Sequence, residues 1–259
     1  MSGKHILITG AGSGIGQALA VEAARHGHRL TLVGRRLDAL AATAALIGGG
    51  AQILPADITR PEDRAHIAAA VEGLDILVNN AGIVPAGALE TVTDDDIAGA
   101  LALNVAAPVA LTRDLLGRLI ASKGQVVNMG SVFGDIGFPF FGLYSATKFA
   151  LRGFSEALRR EVAPMGVAVT YIAPRATRTE AEDGFRALVG PMAMAVDTPE
   201  AVARSAWQAI ALRRREQFPP TRERLFVALQ RLQPRLIDRA LTKLARDPAV
   251  IAAARDMKS

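Results

Sequence analysis

The sequence has no cysteine in 259 residues, which excludes both a disulfide framework and a thiolate metal site and fits a reducing cytosol. Aromatics are sparse, with one Trp, two Tyr and nine Phe. The four histidines, His5, His26, His28 and His66, all fall in the first quarter of the chain. Chemistry beyond position 66 must therefore use another acid or base, which argues against a Ser/His hydrolase. No run of about eighteen uninterrupted apolar residues occurs, so no membrane-spanning helix is predicted. The N-terminus leads into an apolar strand too short for a signal-peptide core, with no small-residue cleavage site behind it. A cytoplasmic protein is expected. Neither a linker-like stretch nor a repeat of twenty to fifty residues divides the chain, so a single domain over 1–259 is expected.

Net charge is +5, but it is unevenly placed. Between Arg213 and Arg246 stand ten Lys or Arg against three acids, so the rest of the chain carries a small negative excess. The basic character belongs to the C-terminal segment, and no nucleic-acid partner is read from it. The Thr93-Asp94-Asp95-Asp96 cluster reads as a helix N-terminal cap, because one short acidic run rarely supplies the converging oxygens of a hard cation. No metal is expected.

What is present is an alternation of short β-branched or Leu-rich runs with longer Ala/Leu-rich stretches of helical period, the pattern of βαβ units on a parallel sheet. Candidate strands are His5 to Thr9, Arg29 to Gly34, Gln52 to Ala56, Ile76 to Asn79, Gln125 to Met129 and Val167 to Ala173. Six such strands predict a doubly wound α/β sheet, whose ligands bind outside the strands' carboxyl ends. After the first strand, Gly10-Ala11-Gly12-Ser13-Gly14-Ile15-Gly16 suits a tight turn opening a helix, with backbone close enough to hold a pyrophosphate. At the end of the second strand, where an NAD site carries an acid for the ribose 2′-hydroxyl, stand Arg35 and Arg36. A guanidinium there suits a 2′-phosphate, which favours NADP(H). The alternative is that both arginines merely solvate a helix start. Tyr144 and Lys148, spaced i and i+4, share a helix face, and their phenol and ammonium converge as a candidate proton donor.

Taken with Asp57, Asn79-Asn80-Ala81-Gly82, Asn104 and Ser131 in this order, these motifs resemble the short-chain dehydrogenase/reductase family over about residues 4 to 180. The resemblance implies a Rossmann-like, three-layer α/β/α fold and hydride transfer at a carbonyl or alcohol carbon. It makes Tyr144 the general acid or base and Lys148 the cation that supports it and holds the nicotinamide ribose. Ser131 would orient the substrate oxygen, and Asn104 would fix a water relaying protons toward Lys148. Asp57 and Ile58 would bind adenine, and Asn80, Ala81 and Gly82 would line the adenosine side. Pro174 and Thr179 match the ends of a Pro-Gly-x-x-x-Thr pattern at the nicotinamide end, where this sequence carries Arg175 instead of Gly. A homodimer or homotetramer is also implied.

Four phenylalanines, Phe133, Phe138, Phe140 and Phe141, crowd the loop between Ser131 and Tyr144. Phe185, Leu188, Met192 and Met194 follow in 180–198, the place of the family's substrate lid. Phe133, Phe138, Phe141, Phe185 and Met192 are thus the expected substrate wall, for a small lipophilic carbonyl or alcohol, unless they pack a core or an interface. From Pro219-Pro220 onward, 219–259 reads as a basic amphipathic helical extension broken at Pro234. Leu225, Leu229, Leu232 and Leu236 fall at helical spacings, with Arg222, Arg224, Arg231, Arg235 and Arg239 between them. It suits peripheral contact with an anionic membrane, and equally packing over the pocket or against another subunit, which is slightly preferred. Two rivals stand beside a carbonyl reductase: a 3-oxoacyl thioester reductase meeting an acidic carrier through the basic segment, and a dinucleotide-binding sensor without turnover.

Overall fold

The computed structural model describes residues 3–219 and 223–257. Its centre is one parallel sheet built from β1 (His5–Thr9), β2 (Arg29–Gly34), β3 (Gln52–Pro55), β4 (Ile76–Asn79), β5 (Gln125–Met129), β6 (Ala168–Ile172) and β7 (Glu216–Gln217), in the order β3-β2-β1-β4-β5-β6-β7. β1, β4 and β5 are buried along their whole length, as sheet strands covered on both faces are, so their polar residues must find partners inside: Asn79 Nδ2 donates to Asn128 Oδ1 at 2.8 Å. All six expected strands are found, two of them slightly shorter than expected. The seventh was not anticipated. Glu216 and Gln217 carry no strand signature; they join by backbone pairing with Tyr171 and Ile172.

Helices cover both faces. Ile6 and Ile8 of β1 point to the side of α1 (Gly14–Arg25), α2 (Leu37–Leu46) and α8 (Pro199–Ala211), where Leu19, Leu40 and Trp207 pack. Leu7, between them, points to the other side, toward α3 (Pro61–Ala70), α5 (Ala107–Ala121) and α6 (Gly142–Val162). The period-two alternation of a strand thus assigns each side chain to a layer. α4 (Asp94–Leu101) starts at Thr93, whose side chain accepts from Asp96 N in a full capping box. A π-helical stretch, Ala102–Ala106, joins α4 to α5. The continuous segment Asp94–Ala121 is long and apolar enough to cross a membrane by length and composition, yet Leu111, Leu115 and Leu119 at i, i+4 and i+8 pack fully into the core.

The C-terminal extension forms three helices, α9 (Glu223–Leu232), α10 (Pro234–Ala245) and α11 (Pro248–Asp256). Pro234 and Pro248 each sit in a first helical turn, where the missing N–H costs nothing. Pro220 and Arg222 lie outside the described residues. Residues 180–198 contain a 3-10 turn, Glu180–Gly184, and the short α7 (Arg186–Val189). Val250 and Ala254 of α11 are buried against Phe141, Phe185, Leu188 and Met192. Val227 and Ile237 pack on Ile136. The extension therefore lies over the aromatic loop.

Candidate active site

Sheet order reverses between β1 and β4, and there a cavity of about 560 Å³ opens at the strands' carboxyl ends. Its floor is the glycine turn. Gly10 and Gly14 both have positive φ, and a Cβ on Gly10 would lie 2.9 Å from Ala81 Cα. One on Gly14 would lie 2.8 Å from Thr179 Cγ2. Neither position has room for a side chain. Behind it, Asn80 Nδ2 donates to Thr9 O at 2.9 Å, and Thr9 Oγ1 accepts from the amides of Asn80 and Ala81 at 3.0 and 3.1 Å. α1 begins at this turn with no acidic residue in its first turn, leaving its N-terminal N–H groups and dipole available to an anion. Gly12, Ser13 and Ile15 line the cavity; Gly16 packs directly against the carbonyl of Gly10.

Arg35 and Arg36 follow β2 at one end of the cavity, beside Asp57 and Ile58. Burial pushes the Asp57 carboxyl upward, but hydrogen bonds from Thr59 and the charges of Arg35 and Arg60 outweigh it and hold it below the usual carboxylate range. Arg36 reaches across the cleft to Glu180 at 2.6 Å, a partner the sequence reading did not name.

At the other end Ser131, Tyr144 and Lys148 come together. Ser131 follows β5, while Tyr144 and Lys148 project from the first turns of α6. The Ser131 side chain stands near enough to the Tyr144 hydroxyl to act on it. Lys148 Nζ donates to Met129 O at 2.9 Å and lies over the phenol ring, 5.5 Å from its centre. Burial pushes the Tyr144 phenol up to about 12, against the smaller lowering by Ser131. Burial likewise pulls the Lys148 ammonium down to about 8. Burial therefore sets the direction of the phenol's shift, in place of the lowering expected from Lys148. Tyr171 is a residue the sequence reading missed. Its buried hydroxyl accepts from Ser131 N at 3.3 Å and donates to Ser131 O at 3.2 Å, fixing the backbone that carries Ser131. Its only sequence signal was that it is the second of two tyrosines, on a strand beside the site.

Asn104 sits in the π-helical stretch, fully buried. Its Oδ1 accepts from Ile83 N at 2.9 Å, and its Nδ2 donates to Ile83 O at 2.9 Å and Thr147 Oγ1 at 3.1 Å. The side chain braces the turn after β4 and leaves Gly82 no room for a Cβ, which would lie 2.9 Å from Oδ1. Of the expected substrate wall, Phe133, Phe141 and Phe185 line the cavity, together with Met194. Phe138 and Met192 stand one layer behind: Phe138 stacks on Phe133 at 4.6 Å, and Met192 packs with Phe141 and Leu188. Pro174 and Thr179 both line the cavity. Between them Arg175 binds Asp197 through two nitrogens, at 2.9 and 2.6 Å, and Glu223 at 3.1 Å, tying this edge to the lid's end and to α9.

The sequence profile of the short chain dehydrogenases matches residues 4–188. Oxidoreductase UcpA of Escherichia coli is 35% identical over 225 residues, covering 83% of this chain and 82% of that protein. A 3beta-hydroxysteroid dehydrogenase of Mediterraneibacter gnavus is 34% identical over 184 residues, 68% of this chain and 67% of its own. Among solved structures, a short-chain dehydrogenase of Sphingobium yanoikuyae in complex with NADPH superposes with TM-score 0.76 at 33% identity, over 93% of this chain and 95% of that one. Another, from Burkholderia phymatum in complex with NAD, gives TM-score 0.81 at 25% identity, over 91% and 95%.

Proposed function

Because this chain belongs to the short-chain dehydrogenase/reductase family, an oxidoreductase family, we propose that it reduces a lipophilic ketone or aldehyde with NADPH, or runs the reverse oxidation, with Tyr144 as general acid or base. The observation that carries the reading is the convergence of Ser131, Tyr144 and Lys148 at one end of a cavity whose other end holds Arg35 and Arg36. The glycine cradle fits a dinucleotide: Gly10 and Gly14, pressed too close to Ala81 and Thr179 to carry a Cβ, form a tight turn that opens the acid-free N-terminus of α1 onto the cavity. Bound NADP(H) supplies or accepts the hydride. Arg35 and Arg36 would hold its 2′-phosphate, Asp57 and Ile58 its adenine, and Asn80, Ala81 and Gly82 its adenosine side. Pro174 and Thr179 would flank the nicotinamide.

Ser131 Oγ donates a hydrogen bond to the substrate oxygen and aims it at the phenol. Tyr144, kept protonated by its buried setting, delivers its proton to that oxygen as charge develops there. Lys148 places a positive charge beside the phenolate that results, which its own burial makes stronger than in water. Asn104 supports a proton relay to Lys148 by holding the Gly82–Ile83 turn against it. Phe133, Phe141 and Phe185 exclude water and select an apolar substrate, with Phe138 and Met192 supporting them. A cysteine-free chain suits the reducing cytosol. A dimer or tetramer accords with the family.

The test is consumption of NADPH and NADH by the purified protein against carbonyls graded by chain length and ring size. Turnover with NADPH that rises with substrate hydrophobicity supports the reading. Silence with every carbonyl, and with every alcohol in the presence of NADP⁺, despite measurable cofactor binding, would turn it toward a binding protein without turnover.

A further inference from the structure

Helix α9 sits with its apolar stripe turned to solvent. Leu225, Ala228, Leu229 and Leu232 recur at i, i+3, i+4 and i+7, the spacing of one helical face. Leu225 is 68% exposed and Leu232 78%, and Ala228 is exposed, while Leu229 between them packs partly against Ile136, Val227 and Ile237. The side held to the body of the protein carries Glu223, Val227 and Arg231, one helical face, although Arg231 is itself 56% exposed and only reaches inward. Glu223 is bound by Arg175 at 3.1 Å, Arg231 pairs with the buried Asp135 at 3.0 Å, and Val227 is buried between them. A helix free to roll would bury its leucines and hydrate its charges. Two ion pairs, two turns apart, hold it the other way, so the outward leucines are imposed by the fold. They are not a frayed end.

The next helix adds charge. On α10, Ile237, Leu241 and Leu244 turn inward, while Arg235, Arg239 and Lys243 recur at i, i+4 and i+8 on the outer side. All three cations are exposed, and none enters an ion pair among the described residues. Leu236 and Phe226, 47% and 43% exposed, stand beside them. α9 and α10 pack against each other, so a leucine stripe and a cationic stripe share one hairpin.

We propose that α9 and α10 form a docking surface for an anionic membrane. The leucines enter the boundary between headgroups and acyl chains, and Arg235, Arg239 and Lys243 meet lipid phosphates. A second copy of this chain is the poorer occupant. A symmetric contact through this hairpin would bring the two cationic stripes together, and like charges facing each other oppose association. Binding of this kind needs neither cofactor nor turnover.

The experiment is co-sedimentation of the full-length protein with vesicles of phosphatidylcholine alone or mixed with phosphatidylglycerol, at low and raised salt. Two double variants accompany it, Leu225→Glu with Leu232→Glu and Arg235→Glu with Arg239→Glu. All four positions are exposed, and circular dichroism checks that the variants fold. The expected result is binding to phosphatidylglycerol vesicles only, weakened by salt and reduced about tenfold or more in each double variant. Absence of binding, equal binding to neutral vesicles, or unchanged binding by the leucine variant would overturn the proposal. So would a fall in oligomer mass by light scattering for the leucine variant when the unaltered protein ignores vesicles, which would assign the stripe to a contact between copies.

Discussion

At the scale of single residues, the site is governed by burial acting on two groups of opposite charge type. Burial disfavours the charged form of each, so Tyr144 rises to about 12 while Lys148 falls to about 8. The phenol stays protonated across the working range, so a reduction does not lose its acid. The ammonium is lost as pH rises through about 8. We expect kcat/KM for reduction to be level below that value and to fall above it, since this ratio reports the free enzyme. In Lys148→Met the remaining activity should lack that falling limb; an unaltered limb would assign it to another group. Tyr144→Phe should lower kcat about a hundredfold to ten-thousandfold, with cofactor affinity measured by fluorescence unchanged. Arg35→Ala should raise KM for NADPH about tenfold to a hundredfold and leave NADH nearly unaffected, the loss of one charge-assisted contact to a phosphate. A parallel loss with both cofactors would make Arg35 a structural residue.

Elements matter because each catalytic side chain is only as well placed as the segment beneath it. Ser131 hangs from the end of β5, and Tyr171 on the neighbouring β6 clamps its backbone by both N–H and C=O. Tyr171→Phe keeps the ring and removes both bonds, leaving the buried Ser131 N–H without a partner while Ser131 O keeps its bond from Gly134 N. It should cost about 1–3 kcal/mol of stability by denaturant unfolding and lower kcat more than it raises the cofactor dissociation constant. At Arg175 the family pattern has glycine, and the structure shows what the change brings: a cation joining the cavity edge to Asp197 at the end of the lid and to Glu223 at the start of α9. The capping box at Thr93 is a simpler case, local enough to be read from four residues.

Across the whole molecule, the C-terminal extension is part of the site's support. Val250 and Ala254 of α11 pack behind Phe141 and Phe185, so the aromatic wall is held from outside the matched family region. Val250→Asp should destabilise the protein and raise KM for apolar carbonyls while leaving cofactor affinity intact, because a carboxylate without a partner would enter this apolar layer. Unfolding curves and cofactor titration would separate the two effects. The sequence by itself determined the parallel sheet, the glycine cradle and the order of Ser131, Tyr144 and Lys148. Those signals are local: strand and helix periods, turn chemistry and an i, i+4 spacing survive in any window of a few residues. Tertiary structure alone decided that Tyr171 grips Ser131, that Asn104 turns its amide to Ile83 and Thr147, and that Phe138 and Met192 stand behind the wall. It also decided that α9 faces its leucines outward. Each of these depends on partners distant in sequence, and the same helical stripe suits core or solvent until Arg175 and Asp135, far away along the chain, choose between them.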